Sequence, residues 1–211
     1  MWTKLVPPKV EFLVRRARYY KLIQTQAPEP DALACRELLK RGDVAIDIGA
    51  NFGHFTKVFS EAVGPEGKVY AVEPVPETFE YLRYNVEHLG LKNVTLHQVA
   101  ADNRTGTTRM TVPLWHGGRK NIYESHFADD GEIEVRSERL DDLFRDVKAA
   151  LVKIDVEGAD LEAVKGAANL LRAHHPVLLV EISSPGTDAF LRELGYSKTK
   201  QGVGSNCFYF Y

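Results

Sequence analysis

The segment Asp47-Ile-Gly-Ala-Asn-Phe-Gly53 closes an apolar run that begins at Val44, and a helical pattern follows it at once. Strand, glycine turn and helix in that order belong to an open α/β sheet, which offers backbone and an acid at its strand tips. The next run, Lys68 to Val72, ends in Glu73, 20 residues after Gly53. Nucleotide-binding sheets put the carboxylate that holds a ribose at about that distance. A carboxylate there accepts from two vicinal hydroxyls, and its charge strengthens both bonds.

The alternation continues beyond this unit. Phe55, Val58, Phe59, Ala62 and Val63 share one helical face that stops at Gly64-Pro65. Val75, Phe79, Leu82, Val86 and Leu89 repeat the pattern around Pro76, which suits a first helical turn. Strands are expected at Val94 to Val99, Leu151 to Val156 and Pro176 to Ile182, and crossover helices between them imply parallel pairing. One helix is expected from Asp160 through Leu171, then a terminal hairpin of Tyr196 to Lys200 with Cys207 to Tyr211. Regularity fails from Asn103 to Arg136, with strands expected only at Thr107 to Val112 and Glu132 to Arg136, and Ser137 is expected to cap a short helix. Long irregular insertions in a compact domain are functional or disordered.

Residues 1–41 read as a helical extension ahead of a domain over 42–211. Within the first 26 residues Lys4, Lys9, Arg15, Arg16, Arg18 and Lys21 face one acid, Glu11. Val10, Leu13, Val14 and Ala17 form an apolar stripe at helical spacing. Either the stripe packs on the domain, or the helix is a basic surface element making weak contact with anionic lipid or a polyanionic substrate. Asp31 is expected to cap the helix after Pro30. The formal net charge of -2 supplies no field to gather nucleic acid, so no nucleic-acid partner is expected. Cys35 and Cys207 show no metal-ligand spacing and read as reduced thiols of a cytoplasmic protein. No apolar run approaches the ~20 residues of a membrane span, and no secretory signal is read at the N-terminus.

A dinucleotide turn wants glycine at relative positions one, three and six, where this chain has Gly49, Asn51 and His54. Two of the three fail. Asp47 ahead of Gly49, with Gly53 after it, suits instead a ligand carrying an amino acid: the carboxylate faces an ammonium and backbone N–H groups face a carboxylate. Asn51 is tolerable there, since Asn visits positive φ.

Three segments resemble the FkbM family of S-adenosylmethionine-dependent methyltransferases: Asp47 to Gly53, Val72-Glu-Pro74, and above all Leu151-Val-Lys-Ile-Asp-Val-Glu-Gly-Ala-Asp160. The resemblance runs from about Glu29 to the C-terminus. It implies a Rossmann-like class I methyltransferase fold: a mostly parallel seven-stranded sheet whose last strand is antiparallel, with helices on both faces. It implies O-methylation of sugar or natural-product hydroxyls, so the expected partner is a small-molecule or glycan acceptor. It assigns Asp47, Gly49 and Gly53 to the methionine part of S-adenosylmethionine, Glu73 to the ribose, and Ala101 and Asp102 to the adenine flanks, and Asn51 within the same turn is expected to bind the cofactor with them.

Methyl transfer to a hydroxyl needs an in-line acceptor and a place for its proton. Asp155 ends a buried strand at the ligand-binding edge and is expected at the methyl-donor or acceptor end of the site. Lys153, two residues earlier on the same strand face, would keep it ionised. Glu157 and His116 are the candidate bases. His116 lies in the insertion with Trp115, Arg119, Asn121, Tyr123 and Glu124, a mixture of rings and polar groups that suits a sugar. Asp155 and Glu181 are too few oxygen ligands for a hard cation, so no metal is expected. Transfer to nitrogen of RNA or protein is the rival reaction. The Asn-Pro-Pro-aromatic signature of amino-methylating enzymes is absent from the strand end at Asp155.

Overall fold

The computed structural model describes residues 7–115 and 120–211. In chain order its elements are α1 (Pro8–Thr25), α2 (Pro30–Leu38), β1 (Val44–Ile48), α3 (His54–Val63), β2 (Lys68–Val72), α4 (Pro76–His88), β3 (Val94–His97), β4 (Ala100–Ala101), β5 (Gly106–Thr111), β6 (His126–Phe127), β7 (Ile133–Glu138), α5 (Leu140–Leu143), β8 (Leu151–Ile154), α6 (Asp160–Gly166), α7 (Ala168–His174), β9 (Val177–Glu181), α8 (Thr187–Glu193), β10 (Ser197–Gln201) and β11 (Asn206–Phe210). A short 3-10 turn, Ile122–Glu124, lies between β5 and β6.

The main sheet has seven strands in the order β10-β11-β9-β8-β1-β2-β3. Every pair from β9 to β3 is parallel, whereas β11 runs antiparallel to both β9 and β10. Strand alternation splits the core into two layers. Ala45, Val69, Leu151 and Leu179 pack under α2 and α3, while Ile46, Ile48, Val152 and Ile154 pack under α5 to α8. The mostly parallel seven-stranded sheet with an antiparallel last strand is the one that the resemblance implies. α2 sits within the first layer, with Ala32 and Cys35 fully buried.

Four local expectations fail, each for a tertiary reason. Asp31 does not cap α2: Glu29 holds the N-cap position ahead of Pro30, and Asp31 accepts from Val203 N and Asn206 Nδ2, pinning the C-terminal hairpin. Ser137 caps nothing because it is a residue of β7, paired with Gly106 and Ala100. The expected single helix from Asp160 breaks at Ala167, where a Cβ on Gly166 would stand 2.1 Å from the carbonyl oxygen of Asp102. Regularity does not fail through the insertion: its two expected strands form as β5 and β7, and with β4 and β6 they build a second sheet, β4-β7-β5-β6.

The apolar stripe of α1 is the fifth surprise. α1 packs on α4 and the glycine turn through Phe12, Tyr19, Tyr20 and Ile23: Phe12 stacks on Tyr81 and Tyr19 on Phe52. Val10, Leu13, Val14 and Ala17 point the other way and are exposed.

Candidate active site

Three left-handed residues shape the turn after β1: Gly49 (φ 73°), Asn51 (φ 50°) and Gly53 (φ 100°). At Gly49 the requirement is also steric, since a Cβ would lie 1.8 Å from the carbonyl oxygen of Asp155. The turn is latched to β2. Gly49 N and Ala50 N donate to Val72 O, and Asn51 N donates to Glu73 Oε2 at 3.0 Å. Asn51 also bonds Ile122 O through Nδ2 and accepts from Phe52 N. A non-glycine residue holds its left-handed conformation here because both ends of its side chain are bound.

Glu73 is buried, and its second oxygen accepts from Val75 N at 3.0 Å. Burial pushes its carboxyl up to about 7, against the two backbone donors. Each oxygen takes one donor from the protein and keeps a lone pair for a ligand.

Beneath the turn lies a buried charge cluster. Asp47 and Lys153 face each other in the β1–β8 register, and Lys153 Nζ lies 3.3 Å from Asp47 Oδ1 and 3.1 Å from Asp155 Oδ2. The ammonium also donates to Gly49 O, and Thr56 Oγ1 donates to Asp47 Oδ2 at 2.6 Å. Burial alone would lower the Lys153 ammonium, yet the two carboxylates raise it above its ordinary value. Burial would raise Asp155, but Lys153 and a hydrogen bond with Glu181 hold it below the usual carboxylate range. Glu181 takes the opposite shift, up to about 8, through burial and the neighbouring Asp155. Within the pair Asp155 therefore holds its charge more readily than Glu181.

Glu157 follows at the mouth. Burial raises its carboxyl, and Asp155 and Glu124 raise it further, with His126 opposing. Its segment is tied to the end of β9: Gly158 N donates to Ser183 Oγ, Ser184 Oγ donates to Gly158 O, and Ser183 Oγ donates to Asp160.

These groups surround one cavity of about 230 Å³ at the carboxyl edge of β1, β2 and β8. Of the residues expected from sequence, Gly49, Asn51, Glu73, Ala101, Asp155 and Glu157 line it together. Asp47 does not. It is fully buried below the turn and spends its oxygens on Lys153 and Thr56. Gly53 is likewise outside the lining, caps α3 and faces Leu82. Asp102 also lies outside it, with Oδ1 folded back onto Asn103 N. His116 falls outside the described residues. The cavity also gathers His54, which follows the glycine turn, together with residues that the sequence did not flag. Glu29 and His54 pair at 3.2 Å on one wall, and Val99, Ala100, Met110 and Phe127 form an apolar wall. Ser183 joins Glu124, His126, Phe127 and Glu157 in a shallower depression that opens beside it. Two consecutive serines after an apolar strand, at the ligand-binding edge, were the available signal for Ser183.

The Methyltransferase FkbM domain matches residues 47–198. The chain belongs to the FkbM methyltransferase family. Two curated relatives illustrate its neighbourhood. A protein-L-isoaspartate O-methyltransferase of Ignicoccus hospitalis is 43% identical over 58 residues, which cover 28% of each chain. The hexuronic acid methyltransferase AglP of Haloferax volcanii is 25% identical over 146 residues, covering 68% of this chain and 57% of that one. The chain thus spans well under two thirds of either relative. Among solved structures, methyltransferase FkbM from Methylobacillus flagellatus superposes with a TM-score of 0.59 at 16% identity, covering 94% of this chain and 60% of the other. At that identity the likeness speaks for the fold. S-adenosylmethionine is the cofactor of FkbM methyltransferase domains, and the cavity fits it: a buried carboxylate with two spare acceptor positions stands between a glycine turn and an apolar wall.

Proposed function

We propose that this FkbM-family protein transfers a methyl group from S-adenosylmethionine to a hydroxyl of a saccharide, glycolipid or secondary metabolite. The observation that carries this reading is the continuity of one cavity from Glu73 and the glycine turn to Glu157 at the mouth. In this reading Glu73 accepts from both ribose hydroxyls, and Val99, Ala101 and Met110 flank the adenine. The turn from Gly49 to Asn51 lines the methionine end, though its N–H groups already donate to Val72 O and Glu73 and are not free for the carboxylate, and Asp155 faces the ammonium. Asp47, Gly53 and Asp102 act from outside the cavity by fixing the turn and the wall. The bound cofactor supplies an electrophilic methyl group.

The electrostatics divide the labour between the carboxylates. Lys153 holds Asp155 low, which makes it a weak proton acceptor and a steady anion. Glu157 is held high and stands at the open side, so it takes the proton that the acceptor hydroxyl loses as its oxygen gains the methyl group. His126 lies close enough to oppose the shift of Glu157 and is a second candidate on the same rim. Phe127 beside Ser183, Glu124 and His126 offers an apolar face within a polar rim, as a sugar requires. The name of AglP, a hexuronic acid methyltransferase, supports a saccharide acceptor. The carboxylates Glu124 and Glu157 at this rim favour a neutral acceptor over an anionic one.

Titration calorimetry with S-adenosylhomocysteine, followed by labelled-methyl transfer to separate saccharide, lipid, RNA and protein pools, tests the reading. Cofactor binding with label in saccharide or lipid is expected. Label confined to RNA or protein would replace the acceptor, and absence of S-adenosylhomocysteine binding would remove the reaction.

A further inference from the structure

α1 presents two opposite faces. On the inner one Phe12, Tyr19, Tyr20 and Ile23 pack against α4 and Phe52. On the outer one Val10, Leu13 and Val14 are 46%, 48% and 63% exposed, and Ala17 is exposed beside them. At about 100° per residue these four fall within an arc of about 100°. The arc is bordered by exposed cations, Lys9 on one side and Arg18 on the other, with Lys21 continuing it towards the C-terminus. No carboxylate among the described residues lies within ion-pair distance of those three. The one acid of the helix, Glu11, is bound to Arg15.

We propose that the outer face of α1 docks on an anionic lipid bilayer. An apolar stripe between unpaired cations matches such a surface in both polarity and charge. A second copy of this face would bring like charges together. The geometry also relates the surface to the cavity. α1 ends at Thr25, and the next residue, Gln26, lines the cavity. Val14 is 12 residues before Gln26, about 18 Å of helix. An acceptor carried on a lipid would then meet the mouth without leaving the membrane surface, a consequence that rests on the proposed methyl transfer.

Co-sedimentation of the full chain with phosphatidylcholine vesicles, with and without phosphatidylglycerol, tests the surface. Binding to the anionic vesicles at low ionic strength is expected, at least tenfold weaker when salt shortens the screening length from about 30 Å to about 3 Å. The double variant Leu13→Glu, Val14→Glu and the triple variant Lys9→Gln, Arg18→Gln, Lys21→Gln should each lose at least tenfold. Unchanged circular dichroism and S-adenosylhomocysteine affinity would show both variants folded. Absence of binding to anionic vesicles, equal binding to neutral ones, or indifference to the triple variant overturns the proposal. So does a vesicle-free dimer that the Glu variants abolish, because a second copy then covers the face. Vesicle binding is read without methyl transfer, so failure of this proposal and failure of the proposed activity are separable.

Discussion

The two ends of the cavity are built differently. At the proposed cofactor end, the turn from Gly49 to Gly53 and Glu73 come from adjacent strands, and backbone bonds fix almost every group. At the proposed acceptor end, Glu124, His126, Glu157 and Ser183 come from three separate stretches of chain, held by side-chain bonds and by a second sheet. The first end is a rigid corner that one sequence motif can encode. The second is an assembly, whose shape changes when any contributing segment changes. Such a division lets one scaffold keep its cofactor while acceptors vary.

Four measurements would break or sharpen this contrast. The largest effect is expected at the acceptor end: Glu157→Gln should lower kcat by about 100- to 10,000-fold while leaving S-adenosylhomocysteine affinity within about twofold. A matching loss of cofactor affinity would show that the two ends are not separate. Lys153→Met comes next. It leaves Asp47 as an uncompensated buried charge and takes the counter-ion from the partly exposed Asp155, so denaturant unfolding should show a loss of about 3–5 kcal/mol, most of it from Asp47. Adding Asp47→Asn should restore part of it, and a silent Lys153→Met would mean that the cluster is not a structural keystone of the corner.

Glu73→Gln should weaken S-adenosylhomocysteine by about 10- to 100-fold, since the amide puts a donor where Asn51 N or Val75 N already donates. The wild-type affinity should be highest above pH 7 and decline as pH falls through about 7, where Glu73 takes up its proton. Calorimetry across pH 6 to 8 checks the sign, and the Gln variant should be flat over that range. The smallest effect is expected at Gly166, remote from the chemistry. Gly166→Ala presses on the Asp102 carbonyl and should cost about 1–3 kcal/mol of stability, with kcat unchanged.

The cofactor end was largely legible in the sequence because its signals are local. The spacing of Gly49, Asn51 and Gly53 after an apolar strand fixes a turn with left-handed residues, and Glu73 stands at the next strand tip whatever the rest of the chain does. Asp47 shows the limit of that reading. The motif gives its position in sequence, but only the register with Lys153 shows that its oxygens are spent below the turn. Glu29 and His54, 25 residues apart, meet only because α2 is drawn against α3. In the insertion β5 and β7 were legible as strands, whereas the two-residue β4 and β6 and the pairing of all four were not, since they meet across long separations.

The helix α1 teaches the same lesson from the other side. Val10, Leu13, Val14 and Ala17 have the spacing of a buried stripe, and apolar spacing says only that a helix has such a face. Which face is buried was decided by the aromatic groove of Phe52 and Tyr81, which takes Phe12 and Tyr19 because planar rings stack there over a larger area than Val or Ala could cover. The sequence by itself determined the strand–turn–helix order, the parallel sheet and the acid at each strand tip, because periodicity and glycine stereochemistry act over a few residues. The tertiary structure alone decided which carboxylates face the cavity, which are consumed by Lys153, and how Glu157 comes to share a rim with Ser183. Those outcomes depend on register and packing between distant segments, and on burial, which sets the charge each group can carry.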